Sequence, residues 1–327
     1  MIRLLYIGDL HIRGTNPRNR LDDYKEALIA KLREVYQMAK RHDVKAILCA
    51  GDIFDRPEVS TGVLLEFADV FAESPVPIYT TPGNHDIYGY NLSTYWRTSL
   101  ALLERLVPQL TVVQDRNDFI ALRGGGEVNV AVSFSPFDSQ IDRDGFGYSP
   151  GTEPPSDYFK VHVAHGMLLD HTPPFDRFTL VQDVQTTADL VLTGHDHIGY
   201  GIYERFDGKV FVNCGSLTRL AASVGEMERD IQALLITIGS NKQKKLQLIK
   251  LESAKPGSEI LDRSKIEAEA KRQYAMEQFS ALIQTQTGEA VLLDIDSIVE
   301  QIADAEGLKA DVVKIALQKI NEAKATI

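Results

Sequence analysis

Five short stretches carry residues that can do metal and acid–base chemistry: Asp9-Leu10-His11, Gly51-Asp52, Gly83-Asn84-His85-Asp86, His165-Gly166 and Gly194-His195-Asp196-His197. In an extended segment residues i and i+2 point to the same side, so Asp9 and His11 can meet one cation, and two histidines, His195 and His197, at i and i+2 after a buried run and a glycine are a metal signal. Asn84 offers a neutral oxygen, His85 a proton near neutral pH, and Asp86 a carboxylate to orient the His85 ring. Each stretch alone is weak, because turns favour Asp, Asn and His for backbone reasons. The chain has eight histidines, and five of them (His11, His85, His165, His195, His197) directly follow strand-like runs beside Gly, Asp or Asn. A scatter of core or surface histidines would not select strand ends. His162 and His171 read as a packed strand histidine and a loop histidine.

The elements that must position these groups are legible. Ile2–Ile7, Val44–Ala50 and Val76–Tyr79 read as strands, with helices over 21–41 and 59–71 between them. Leu28, Leu32, Val35 and Ala39 recur at helical spacing. That β-α-β-α-β order, with chemistry after each strand, predicts an α/β fold with ligands at the carboxyl ends of a partly parallel sheet. A helix is expected over 95–106, and strands over 110–113, 119–122, 128–133, 159–164 and 188–193. Lys209–Asn213 and Ala233–Ile238 read as closing strands. Phe137–Asp157, rich in Gly, Pro, Ser and Asp, reads as a long surface loop at the rim of a substrate cleft. Asp55 reads as a turn residue. Gly215-Ser216-Leu217 is either a structural turn or one that approaches the site.

With 327 residues the chain accommodates one large domain plus a smaller one. The expected division is a catalytic domain over 1–250 and a helical region over 251–327 after the Lys255-Pro256-Gly257-Ser258 linker. In the latter, 262–283 reads as a helix, and 296–305 with 311–323 as a helix-turn-helix pair. From Lys255 onward nine Lys or Arg face thirteen Asp or Glu. Phosphate-tracking surfaces are basic, so this region reads as a protein contact, with a partner or a second copy, or as an appendage on its own domain. The net charge of −11 argues mildly against a dedicated DNA-binding protein. No signal-peptide pattern and no bilayer-length apolar run is present. Cys49 and Cys214 lie in apolar runs, and their expected state is buried free thiols in a reducing cytoplasm.

The ordered set of five motifs, over roughly residues 1–240, resembles the calcineurin-like metallophosphoesterases. The resemblance implies a four-layer α/β/β/α sandwich with two divalent metal ions at the strand ends. One would take Asp9, His11, Asp52 and His197, the other Asp52, Asn84, His165 and His195, with Asp52 bridging. Carboxylate, amide and imidazole donors suit Mn²⁺, Fe²⁺ or Zn²⁺. Two such ions lower the pKa of shared water toward about 7 for in-line attack on phosphorus. His85 would then serve the leaving oxygen, with Asp86 holding its ring.

A closer resemblance, to the nuclease subunit of the SbcCD-type DNA repair exonuclease, rests on Arg20, Asp23, Gly51 to Pro57 and Asn213 to Leu220. It implies manganese-dependent cleavage of DNA and partnership with an SMC-like ATPase. Cys214 stands where that pattern has proline, and the region after Leu251 is shorter than usual, which leaves the substrate open. Three classes follow: a DNA nuclease, a small-molecule or nucleotide phosphodiesterase, and a metal-free scaffold. The complete ligand set disfavours the last.

Overall fold

The computed structural model describes residues 1–125, 128–285, 299, 303, 308 and 310–324. Met1–Asp262 and Arg263–Ile327 form two compact units. The first begins with β1 (Ile2–Ile7), α1 (Tyr24–Arg41), β2 (Ala46–Cys49), α2 (Thr61–Ala72) and β3 (Ile78–Thr80). The expected order is therefore present, with trimmed ends. Helix α1 starts at Tyr24 because Asp23 caps it, accepting from the Glu26 backbone N–H. Its predicted apolar face, Leu28, Leu32, Val35 and Ala39, is buried.

The helix expected over 95–106 is interrupted. A 3₁₀ segment, Leu92–Arg97, ends at Thr98, whose hydroxyl accepts from Ala101 N–H and caps α3 (Ser99–Leu106). Then follow β4 (Leu110–Val112), β5 (Phe119–Arg123), β6 (Asn129–Ser135), β7 (Phe159–His165), the short β8 (Leu168–Leu169) and β9 (Thr179–Leu180), and β10 (Leu190–Gly194). The unit closes with β11 (Gly201–Glu204), β12 (Val210–Asn213), α4 (Val224–Glu228), β13 (Gln232–Ile238), β14 (Lys244–Lys250) and α5 (Gly257–Ile260). Strands β11 and β14 have no counterpart among the expected strands. Both are edge strands, and half-exposed, Lys-rich sequence such as KKLQLIK hides an edge strand.

One sheet runs β14-β13-β1-β2-β3-β4, the other β11-β12-β10-β7-β6-β5. In each the central strands are parallel, and antiparallel pairs lie toward the edges. The sheets pack face to face through Leu4, Tyr6, Leu48, Val132, Val163 and Leu192, among others. The outer face of the first sheet is covered by α1, α2 and α3. That of the second is covered by Tyr148, Leu168, Val181 and Val184. The loop expected over 137–157 is thus anchored from within: Tyr148 is fully buried and donates to Asp142, which also accepts from Met167 N–H and Thr179 Oγ1.

Cys49 and Cys214 are buried free thiols. In the second unit, α6 (Ser264–Thr285) and α7 (Ala310–Lys324) are helical. The element expected over 296–305, and the turn after it, lie almost wholly outside the described residues. Among the described residues no helix is long and apolar enough to cross a membrane.

Candidate metal centre

The strands deliver their polar ends to one place. Asp9 and His11 follow β1, Asp52 follows β2, Asn84 and His85 follow β3, His165 ends β7, and His195 and His197 follow β10. Ligand atoms of Asp9, His11, Asp52 and His197 lie within 4.8 Å of one another, and so do those of Asp52, His165 and His195. Asn84 joins the second group, its Oδ1 standing 2.9 Å from His165 Nε2.

Three of these residues sit in the left-handed region: His11 (φ 47°), Asp52 (φ 47°) and His195 (φ 79°). Non-glycine residues are held there at a cost of order 1–3 kcal/mol each, and such strain gathers at functional sites. The two carboxylates are locked by the opposite motif. Asp52 Oδ1 accepts the His85 N–H at 2.8 Å, and Asp9 Oδ2 accepts the His195 N–H at 2.9 Å. Glycine makes this approach possible: a Cβ on Gly83 would stand 2.1 Å from Asp52 Oδ1, and one on Gly194 2.2 Å from Asp9 Oδ1. Gly194→Ala is therefore expected to destabilise the chain by about 1–3 kcal/mol through overpacking and to weaken metal binding by displacing Asp9. Denaturant melts and Mn²⁺ titration read the two effects separately.

The arrangement fits cations. Asp9 Oδ1 and Asp52 Oδ2 are buried with no hydrogen-bond partner. Asp52 Oδ2 stands 3.7 Å from His11 Nε2 and 3.3 Å from His165 Nε2. His11 Nε2 faces His197 Nε2 at 2.9 Å. Ligands bound at 2.0–2.2 Å around one ion stand about 3–3.5 Å apart, and the spacings here bracket that range. Burial drives His11 well below its ordinary pKa, His195 down to about 3, and His197 down as well. Neutral imidazole is the ligating form. Burial pushes Asp9 up to about 7, the mark of a carboxylate lacking compensating positive charge. Burial also works against the charge on Asp52 and on His165. Their mutual attraction prevails, holding Asp52 below the carboxylate range and raising His165 to about 9. His165 Nδ1–H donates to the Ala50 carbonyl at 2.8 Å, which aims Nε2 inward.

His85 lies beside the clusters, its ring centroid 4.9 Å from that of His11. The hydrogen bond expected from Asp86 to this ring is not made. Asp86 is fully buried and accepts from the N–H groups of Gly83, Phe54 and Ile53, tying the β2 and β3 turns together. Sequence neighbours in a tight turn point apart, so Asp86 faces inward and cannot reach the ring. The ring is held instead by Asp55, whose backbone carbonyl accepts from Nδ1–H at 2.8 Å. Its carboxylate pairs with Arg13 at 3.3 Å. No side-chain pattern announces a backbone acceptor, and Asp55 reads as a turn residue for that reason. His162, by contrast, is the packed strand histidine expected, bonded to Ser133, Ser135 and the Gly147 carbonyl.

The Gly215-Ser216-Leu217 turn does approach the site. Ser216 Oγ and Leu217 N–H both donate to the Asp9 carbonyl, and Ser216 N–H donates to that of His197. Four successive carbonyls of this turn, Ser216 to Arg219, accept from the side chains of Arg229, Lys31, Arg229 again and Arg20. Arg229 also pairs with buried Glu226 at 2.8 Å. Removing one partner of a buried pair costs about 3–5 kcal/mol. Arg229→Met should show that loss in denaturant melts, and the double change with Glu226→Leu should recover part of it.

Comparison with protein families agrees with this geometry: the model of the calcineurin-like phosphoesterase family matches residues 2–199. Among solved structures, one described as an archaeal phosphodiesterase is 13% identical, covering 76% of this chain and 100% of its own, with a TM-score of 0.35. A dimetal phosphatase from Danio rerio is 11% identical, covering 76% and 96%, at 0.47. The protein TT1561 of Thermus thermophilus is 14% identical, covering 76% and 98%, at 0.43. No curated protein sequence matches. The family match takes in the strand-end motifs from Asp9 to His197, and with it the chain belongs to the calcineurin-like phosphoesterases.

Proposed function

We propose that this chain is a dinuclear, metal-dependent phosphodiesterase acting on DNA, of the SbcD nuclease type. The observation that carries the two-metal reading is Asp52 Oδ2, buried and without a hydrogen-bond partner between His11 and His165. Asp9, His11, Asp52 and His197 would hold one ion, and Asp52, Asn84, His165 and His195 the other. The donor set suits Mn²⁺, Fe²⁺ or Zn²⁺. Ions so held supply Lewis acidity at the phosphoryl oxygens and lower the pKa of water.

The protein's own part is positioning and proton transfer. With Nδ1–H committed to the Asp55 carbonyl, His85 keeps Nε2 for the leaving oxygen. Protonated there, it donates as the ester bond breaks. Asp86 holds the β2 and β3 turns in register through its three backbone N–H bonds, which keeps the His85 backbone on Asp52. Asp86 is thus a positioning residue.

The DNA reading rests on the resemblance of Gly51 to Pro57 and Asn213 to Leu220. The net charge of −11 favours a second reading, a phosphodiesterase of small molecules or nucleotides. A Mn²⁺-supported assay on linear duplex DNA, single-stranded DNA and a bis-aryl phosphodiester separates the two. Cleavage of DNA supports the first. Cleavage of the small ester alone assigns the second. The acidic second unit fits a protein contact, with an ATPase or a second copy. Removing it should change the assembly size if that contact exists.

A further inference from the structure

Three side chains stand in a row beside the metal centre. Phe137 is 7% exposed, and its ring centroid lies 5.8 Å from that of His195 and 6.2 Å from that of His165. Tyr90 lies 5.6 Å from Phe137 and is 62% exposed. The Arg177 guanidinium lies 5.8 Å from the Phe137 centroid. It is not a free surface cation. Nε and Nη2 donate to the carbonyls of Ile141, Ser139 and Asp138, which fixes the plane of its head.

Tyr90 is held in an unusual way. Its φ is 58°, directly after Gly89 at 57°. A bulky residue in the left-handed region is disfavoured, and burial of the ring does not compensate at this exposure. The turn is nonetheless well tied. Asn91 N–H donates to the Tyr88 carbonyl, Tyr88 N–H to Thr94 Oγ1, and Thr94 Oγ1 to the Asn91 carbonyl. The chain therefore presents an exposed aromatic ring beside the candidate metal centre. It is continuous, through Phe137, with the candidate metal ligands.

We infer that the exposed ring of Tyr90, backed by the buried Phe137 and with Arg177 beside Phe137, forms a stacking subsite for a nucleobase flanking the scissile phosphate. Planar bases stack on aromatic side chains without regard to sequence, and an adjacent guanidinium attracts the neighbouring phosphate. The inference rests on the DNA reading above and adds the part of the substrate that is gripped: an unpaired base rather than the sugar-phosphate chain alone.

The test compares a single-stranded oligonucleotide with an abasic strand of equal length, in Mn²⁺. The two differ only in the bases, so the ratio of their kcat/KM values isolates stacking. The wild type is expected to prefer the base-bearing strand. Tyr90→Ala should cut that preference by roughly tenfold, chiefly through KM, and Tyr90→Phe should keep it, because the ring face is retained. An unchanged ratio in Tyr90→Ala overturns the subsite while leaving the nuclease reading intact. A wild type that cuts the bis-aryl ester but neither strand overturns both.

Discussion

Asp52→Asn is expected to abolish turnover of phosphodiesters, by on the order of 10³-fold or more, and to lower metal content. The size follows from what one carboxylate does here. Asp52 is fully buried, its Oδ1 is fixed by the His85 N–H, and among the described residues it is the carboxylate shared by two of the three candidate ligand groups. Asparagine keeps the shape and can keep the Oδ1 bond. It removes the negative charge between two cation positions. Loss of about 4 kcal/mol of transition-state stabilisation corresponds to a thousandfold. Metal analysis of the purified variant against wild type, together with kcat, reads both effects. Wild-type metal content with wild-type turnover would show that Asp52 is not shared.

His85→Ala should act differently. Turnover should fall by about 10²- to 10³-fold, the range of a lost general acid, while metal content stays at the wild-type level. The His85 side chain falls in a third candidate group, with His11 and Asp55, but in neither of the two that contain Asp52, and only its backbone N–H holds Asp52. That bond survives the substitution. Leaving-group dependence sharpens the test. A sugar hydroxyl of DNA is a poor leaving group and needs its proton, whereas a nitrophenolate does not. Under the proposed DNA reading the loss should therefore be large on DNA and small on the bis-aryl ester. Equal losses on both, or loss of both metals, would refute the assigned role.

The contrast between these two residues shows what is legible in the chain. Asp9, His11, Asp52, Asn84, His165, His195 and His197 can be located because each stands at or just after a buried strand-like run, but strand period does not decide which of them share a side, since His11, Asp52 and His195 leave the strands at positive φ. The parallel order of β1, β2 and β3 is readable for the same reason, from buried apolar runs separated by helical spacing. The role of Asp86 is not. Chain adjacency to His85 suggests contact, but the backbone of the turn sends the carboxylate to three amide groups. Asp55 is hidden because it acts on the ring through a carbonyl that every residue possesses. Phe137 and Tyr90 are hidden because nothing local marks an aromatic as facing a site built from strands far away in sequence. The turn after β12 is half visible: Gly215-Ser216-Leu217 reads equally as a structural turn or as one that approaches the site. The convergence of Lys31, Arg20 and Arg229 on its carbonyls depends on long-range packing.

A metal titration of the apo chain decides whether two ions share Asp52. Mn²⁺ is added stepwise with calorimetric readout, and bis-aryl phosphodiester hydrolysis is followed on the same samples. Two ions per chain are expected, with hydrolysis that rises with occupancy of the second and weakening of both sites by Asp52→Asn. Hydrolysis that persists in the metal-stripped chain, or full activity with a single ion bound, would contradict the two-metal assignment.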